Sequence, residues 1–490
     1  MTLLADLCAR TLAIDSALPA IEFAGVWHDW GVVQALAQRV RALLADSGIG
    51  ADTAVSFVPR NRPSALAALI GTLADGRTVR MIYAFQSPAA IAAAIERLES
   101  SIVIMALGDF TPEVRAVMTA KGMAGIALSD MAAHALPGFA FGTPRPDGRQ
   151  PCVEILTSGT TGPPKQFPIS HDVIAQFVLN QGVTLIDDPA EPPFLMSFPI
   201  ANISGIYSIA ASLLRGRRVV LLDRFSVAAW RDFVVRYRPR TGGAPPAAVG
   251  MILDADVPVA DLSSLDYFST GAAPLDPAVQ QRFEEKYGIP VLLAYGATEF
   301  GGPVAAMTPG LHAEWGKRKM GSVGQALPGV QLRVRDPVTD EILAAGREGI
   351  LEVVSPRLGP EWIRTSDIAV LDDDGFLFHR GRADGAIMRG GFKVLPETIE
   401  AALMLHQAIS AAAVIGIADP RVTQVPAAVI QTKPGTVRPR ITELETHLRR
   451  HLPATHIPVH WRFVEALPRN PSFKIDRPML KRLFKDAPQG

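Results

Sequence analysis

The sequence predicts an α/β fold with parallel strands, spread over more than one domain. Between residues 32 and 105 apolar positions at helical spacing alternate with short apolar runs of strand length, the rhythm of helices crossing between parallel strands. A chain of 490 residues is also longer than one ordinary core organises. Its 48 basic and 48 acidic residues balance, and the basic ones form no runs, which argues against nucleic-acid and polybasic membrane partners.

The elements follow in order. Val32, Val33, Leu36, Val40, Leu43 and Leu44 recur at helical spacing, and 48–52 supplies a stop before a strand over 54–58. A helix over 63–73, a strand over 79–82, a helix over 88–98 and a strand over 102–105 continue the alternation. The Pro/Gly-rich stretch 137–151 reads as a connector. Beyond it come a strand over 153–156, a strand over 194–198, a helix over 200–214 and a strand over 219–222. Near the C-terminus, strands over 411–417, 427–431 and 459–464 enclose a helix over 442–452. Cys8 and Cys152 are the only cysteines and lack metal-site spacing, as suits a reducing compartment. No basic leader or bilayer-length apolar run appears, so a soluble cytoplasmic protein is expected.

Function is written in five short motifs. Residues 156–165, L-T-S-G-T-T-G-P-P-K, leave the end of a predicted strand with glycines and hydroxyls in succession. Such a stretch is either a flexible turn or an anion cradle. Gly159 and Gly162 would let backbone N–H groups approach a phosphate, Thr157, Ser158, Thr160 and Thr161 add hydroxyl donors, and Lys165 adds charge. It is no Walker loop, because Pro164 and Gln166 flank the lysine. The other four are S-T-G-A-A-P-L at 269–275, Y-G-A-T-E at 295–299, T-S-D at 365–367 with G-R-A-D-G-A-I-M-R-G-G-F-K from 381, and L-P-R-N-P-S-F-K-I-D-R at 467–477.

In this order the motifs resemble those of the AMP-forming adenylate ligases, which include acyl-CoA and aryl-CoA synthetases, peptide-synthetase adenylation domains and luciferases. The resemblance runs from about residue 30 to 485, and P-R-N-R-P-S at 59–64 looks like a turn of the family's N-terminal lobe. It implies a large N-terminal domain of α/β subdomains with mixed sheets, residues 1–383, and a small mobile α+β C-terminal domain, residues 384–490, hinged at Asp384.

The resemblance also implies roles. Thr157, Ser158, Gly159, Thr160, Thr161, Gly162 and Lys165 would cradle the phosphates of ATP. Gly271, Ala272, Ala273 and Gly296 would leave room for the purine, on which Tyr295 stacks. Thr298 would contact the α-phosphate, and Glu299 would hold Mg2+, a hard cation that prefers oxygen. Asp367 would accept from the ribose hydroxyls, Arg382 would sit near ribose and phosphate, and Lys474 would be the catalytic lysine. Four positions depart from the pattern: Gln166 and Ser366 replace glycines, Met388 a lysine, and Phe473 the glycine before Lys474.

The implied reaction activates a small carboxylic acid as an acyl-adenylate and passes the acyl group to a phosphopantetheine thiol of coenzyme A or an acyl carrier protein. No aspartate lies between Phe198 and Tyr207 to pair with a substrate ammonium, which disfavours an amino acid. In that neighbourhood Asn202 either caps the next helix or touches the acyl group. Gly301 and Gly302 beside Phe300 suggest a flat slot and a benzoate- or cinnamate-like acid. A medium-chain fatty acid, a luciferase-like oxygenase and a non-catalytic nucleotide-binding homologue are the alternatives.

Overall fold

Helix and strand alternate through the first half of the chain as the apolar periodicity predicts. The computed structural model describes residues 2–98, 100–139, 150–157, 165–180, 182, 188–389, 392–419, 422–470 and 474–485. The chain divides by packing into two units, Met1–Pro239 and Arg240–Gly490.

In the first unit, Val55–Val58 lies parallel to both Val79–Met81 and Ile102–Ala106, and Val79–Met81 in turn lies parallel to Cys152–Thr157. Ala124–Ser129 extends the sheet on one side, and antiparallel strands Ala132–Ala135 and Lys165–Ser170 close its two edges. All four residues of Val55–Val58 are buried, the continuous apolar run expected of a parallel strand covered on both faces. The helices between start where proline presets the backbone. Pro63 and Pro88 open Pro63–Ala74 and Pro88–Arg97, and Ser87 caps the second by accepting from the Ala90 N–H. Helix Pro63–Ala74 contains no charged residue and is buried at every position. It approaches Trp30–Asp46 so closely that a Cβ on Gly71 would lie 2.8 Å from the Ala37 carbonyl oxygen.

A second sheet in this unit has the order Phe194–Met196, Val219–Leu221, Pro19–Phe23, Val26–Asp29. Its first hairpin pairs in parallel with Val219–Leu221, far along the chain. The helix expected over 200–214 is shorter, Ile203–Ala211, followed by a 3-10 turn Leu213–Arg215. Asn202 starts it by capping, and Gly216 at φ +77° ends the turn.

Among the described residues the second unit holds three sheets. Thr241–Gly243, Tyr267–Gly271 and Val291–Ala297 run parallel, with antiparallel Gly302–Ala306 and then Gln325–Ala326 beyond them. An antiparallel sheet follows in sequence order: Gln331–Arg335, Glu348–Val354, Ile363–Leu371, Leu377–Arg382. The last sheet centres on Ile409–Asp419 and Thr423–Thr432, with His460–Val464 parallel to the latter. Ile399, Leu403, Leu444 and Leu448 of helices Pro396–Met404 and Ile441–Arg449 fill one core of this sheet, and Leu480 of Arg477–Lys485 belongs to another with Ala413, Ile415 and Val429. Among the described residues no helix is long and apolar enough to cross a membrane.

Candidate active site

The strand expected before the glycine-hydroxyl loop is present in the first unit as Cys152–Thr157. It pairs antiparallel with Lys165–Ser170, so that Thr157 opposes Lys165. Ser158, Gly159, Thr160, Thr161 and Gly162 lie outside the described residues. Asn202, in the same unit, uses its Oδ1 to accept from the Gly205 N–H at 2.7 Å, a helix cap.

In the second unit, Tyr267–Gly271 and Val291–Ala297 are parallel neighbours with Gly271 opposite Ala294. Gly271–Ala273 and Tyr295–Glu299 therefore leave the same ends of adjacent strands, the place where parallel sheets present ligands. Space is tight at both glycines. A Cβ on Gly271 would lie 2.7 Å from the Ala294 carbonyl oxygen, and one on Gly296 would lie 2.4 Å from the Pro303 Cα. Ala272 sits at φ +70°, a strained value for a residue with a side chain. Thr298–Phe300 forms a 3-10 turn that leaves Glu299 exposed and Phe300 buried. Gly301 at φ +67° and Gly302 at φ +123° then reverse the chain into Gly302–Ala306. The ring of Phe300 packs in the core with Val304, Leu351 and Val353, so it serves the fold rather than a slot.

Asp367 is the centre of this unit's polar network. It lies on Ile363–Leu371 opposite Arg382 of Leu377–Arg382. The Tyr295 hydroxyl donates to its Oδ2 at 2.5 Å, and His379 Nε2 lies 3.3 Å from its Oδ1. Thr365 shapes the turn by accepting from the Asp367 N–H at 2.9 Å and donating to the Leu351 carbonyl at 2.8 Å. Burial by itself raises the Asp367 pKa, but the hydrogen bonds from His379 and Tyr295, with the charges of His379 and Arg382, hold it below the usual value. Burial and the neighbouring carboxylate push the Tyr295 phenol strongly up, so it stays a donor.

Arg382 donates to Asp384 at 2.9 and 2.7 Å and to Ser366 Oγ at 2.5 Å, while its Nη1 lies 3.9 Å from Asp367 Oδ1. The bond to Asp384 is the main reason its pKa is raised. Ser366 is not among the positive-φ residues, so its turn does not need the freedom of a glycine. Its hydroxyl instead anchors Arg382. Met388, the other described departure in this unit, is exposed on Ile387–Arg389.

Lys474 is tied to Asn470. Its N–H donates to Asn470 Oδ1 at 3.1 Å, the Asn470 N–H donates back to its carbonyl at 2.8 Å, and Arg469 bridges to Ile475. Phe473 lies outside the described residues. Desolvation by surrounding protein lowers the Lys474 pKa, the charges of Glu299 and Asp367 oppose this, and Arg382 adds to it. The residue as a whole keeps exposed surface, so the ammonium loses its hydration only in part. Tyr295, Glu299, Asp367, Arg382 and Lys474 thus share one electrostatic neighbourhood. His379 joins them without belonging to any motif singled out in the sequence. Its signal is the register that pairs its strand with that of Asp367.

Among the described residues no group of three or more His, Cys, Asp or Glu is placed to hold a metal ion unaided. The single exposed carboxylate of Glu299, next in sequence to the Thr298 hydroxyl, suits a hard cation that takes most of its oxygens from phosphate and water.

Known proteins resemble this chain in sequence and in fold. The model of the AMP-binding enzyme family matches residues 10–360, and that of the AMP-binding enzyme C-terminal domain matches 398–474. Peroxisomal OPC-8:0-CoA ligase 1 of Arabidopsis thaliana is 32% identical over 354 residues, which is 68% of this chain and 63% of that protein's length. A 2-succinylbenzoate–CoA ligase of Bacillus pumilus is 30% identical over 355 residues, covering 68% of this chain and 69% of its own. In fold, the chain is similar to ATP-bound MatB from Rhodopseudomonas palustris, with a TM-score of 0.81, 23% identity and coverage of 98% of this chain and 99% of that one.

Proposed function

Because the chain belongs to the AMP-binding enzyme family, we propose that it couples ATP cleavage to the activation of a carboxylic acid and then makes a thioester. The observation that carries this reading is the electrostatic neighbourhood of Lys474 with Glu299, Asp367 and Arg382. A partly desolvated cation set among charged groups is what stabilisation of the developing phosphate charge needs.

In the first step an oxygen of the substrate carboxylate attacks the α-phosphorus of ATP, the bond to pyrophosphate breaks, and an acyl-adenylate forms. Lys474, Thr298 and the donors of Thr157, Ser158, Thr160, Thr161 and Lys165, with backbone N–H groups at Gly159 and Gly162, stabilise the charge that develops. Tyr295 stacks on the purine beside Gly271, Ala272, Ala273 and Gly296, Asp367 receives the ribose hydroxyls, and Arg382 lies near ribose and phosphate. Glu299 would hold Mg2+, which when bound neutralises phosphate charge. In the second step the C-terminal portion, from Asp384 onward, turns about that residue and withdraws Lys474. A phosphopantetheine thiolate then attacks the acyl carbon and AMP leaves.

For the acid we favour an aromatic, benzoate- or cinnamate-like one, on the glycines Gly301 and Gly302 after Glu299. For the acceptor we favour coenzyme A, with a carrier protein fitting the same chemistry. The buried Cys8 and Cys152 accord with a reducing, cytoplasmic setting.

Acid-dependent pyrophosphate release across benzoates, cinnamates, straight-chain fatty acids and amino acids, each with and without coenzyme A, tests the whole reading. Release with one aromatic class that rises with coenzyme A is expected. Release that stops at a single turnover in its presence would point to a carrier protein, preference for fatty acids would replace the substrate class, and silence across the panel would sink the ligase.

A further inference from the structure

His379 has no place in the motifs, yet it completes the hold on Asp367. Its strand, Leu377–Arg382, runs antiparallel to Ile363–Leu371 and sets His379 opposite Ala369, two residues beyond the aspartate. Asp367 has two oxygens and, among the described residues, one hydroxyl or ring donor on each: Tyr295 on Oδ2 at 2.5 Å and His379 Nε2 on Oδ1 at 3.3 Å. The two donor rings lie 5.9 Å apart at 31°.

An ionised carboxylate offers about four acceptor positions. With one donor on each oxygen, one lone pair per oxygen is left to face a ligand. Arg382 does not substitute for the imidazole, because its Nη1 stands 3.9 Å away and its other nitrogens are committed to Asp384 and Ser366. Without His379 the carboxylate is fixed at Oδ2 alone and free to swing about its last bond. We propose that His379 is a positioning residue for nucleotide recognition: by donating from Nε2 it locks the Asp367 plane so that each oxygen keeps a lone pair for one of two neighbouring ribose hydroxyls. Both the Nε2–H neutral form and the imidazolium can donate, whereas the Nδ1–H neutral form would set a lone pair against the carboxylate. The inference rests on the reading of Asp367 as the ribose acceptor.

The test measures binding of ATP, 2′-deoxyATP and 3′-deoxyATP to the full chain by calorimetry, with pyrophosphate release as a function of ATP, for the unmodified protein, His379→Leu and His379→Gln. Glutamine places an amide nitrogen close to where Nε2 lies. In His379→Leu the ATP affinity should fall about tenfold, the scale of one hydrogen bond to a charged group, with the loss in KM more than in kcat. Its preference for ATP over the deoxy analogues should shrink towards one, and His379→Gln should recover most of it. Equal weakening for ATP and the deoxy analogues, or an unaltered preference in His379→Leu, would reduce His379 to strand packing and overturn the proposal. If the unmodified protein binds ATP but ignores the ribose hydroxyls, the ribose reading of Asp367 fails and takes this inference with it. Failure of His379→Gln to recover the preference, with that variant folded, would also count against it.

Discussion

An ammonium that has lost part of its water in the combined field of two carboxylates and a guanidinium is poised to meet new negative charge, and the backbone of Lys474 is tied to Asn470. Lys474→Ala should therefore lower acid-dependent pyrophosphate release by roughly 100-fold or more, the scale of one preorganised donor. Thioester formation from a supplied acyl-adenylate should change by no more than a few-fold, measured as thiol consumption. Equal loss of both half-reactions would remove the role assigned to this lysine. At this scale the sequence is most legible where a motif is contiguous: Tyr295 and Asp367 stand out in two separate motifs, and the fold joins them through one hydrogen bond. His379 was not legible, because its tie to Asp367 is made by strand register rather than by spacing along the chain. Phe300 misled for a related reason. An aromatic ring beside two glycines reads as a slot wall, and only packing reveals that the ring turns into the core.

Helix Pro396–Met404 shows how an element's burial can set a pH response. Glu400 on this helix is pushed up to about 7 by burial and by the charge of Glu397, against the Val414 N–H and the charge of Arg477. A carboxyl whose folded pKa is raised favours the folded state when protonated. Its contribution is full below the ordinary value of 4.5 and is lost as pH rises through about 7. Glu400→Gln should flatten the stability profile across that window and raise stability above it, by roughly 2 kcal/mol, since the residue keeps some exposed surface. Chemical denaturation at several pH values checks this; an unchanged slope would show that Glu400 does not titrate in that window. Elements were legible where burial is two-sided, as in Val55–Val58. The sheet from Gln331 to Arg382 was not, because charged pairs occupy its strands. Glu352 interrupts the otherwise apolar run 349–354 of strand Glu348–Val354, where Arg333 and Arg335 reach it at 2.7 and 2.9 Å and Arg364 joins them, so a buried strand carries a charge in its middle.

The whole chain carries no net charge, and that balance hides opposite responses to acid in its two units. His171 of the first unit is buried, shares a hydrogen with Thr2 Oγ1 at 2.9 Å, and has its pKa lowered to about 4. A depressed histidine contributes stability above its ordinary value of 6.5 and loses it as pH falls towards about 4. Glu400 has the reverse sign in the second unit. Between pH 7 and 5, hydrogen-exchange protection, taken relative to the intrinsic rate at each pH, should therefore fall around helix His171–Asn180 and rise around Pro396–Met404, and parallel changes in both would contradict the assignment. Zero net charge in the sequence could not foretell this, since each response arises from burial. The packing division at 239/240 was equally hidden, whereas Asp384, the proposed pivot, was marked by its motif. Strand Pro19–Phe23 finds its parallel partner only at Val219–Leu221. At roughly 5–20 residues per second, a ribosome needs about 10–40 s to make the chain between them. During that interval the nascent hairpin Pro19–Asp29 stands as a two-stranded ribbon with one unpaired edge, the form in which such ribbons are least stable and most open to foreign strands. Newly made chains halted before residue 219 are thus the species that a chaperone would be expected to hold.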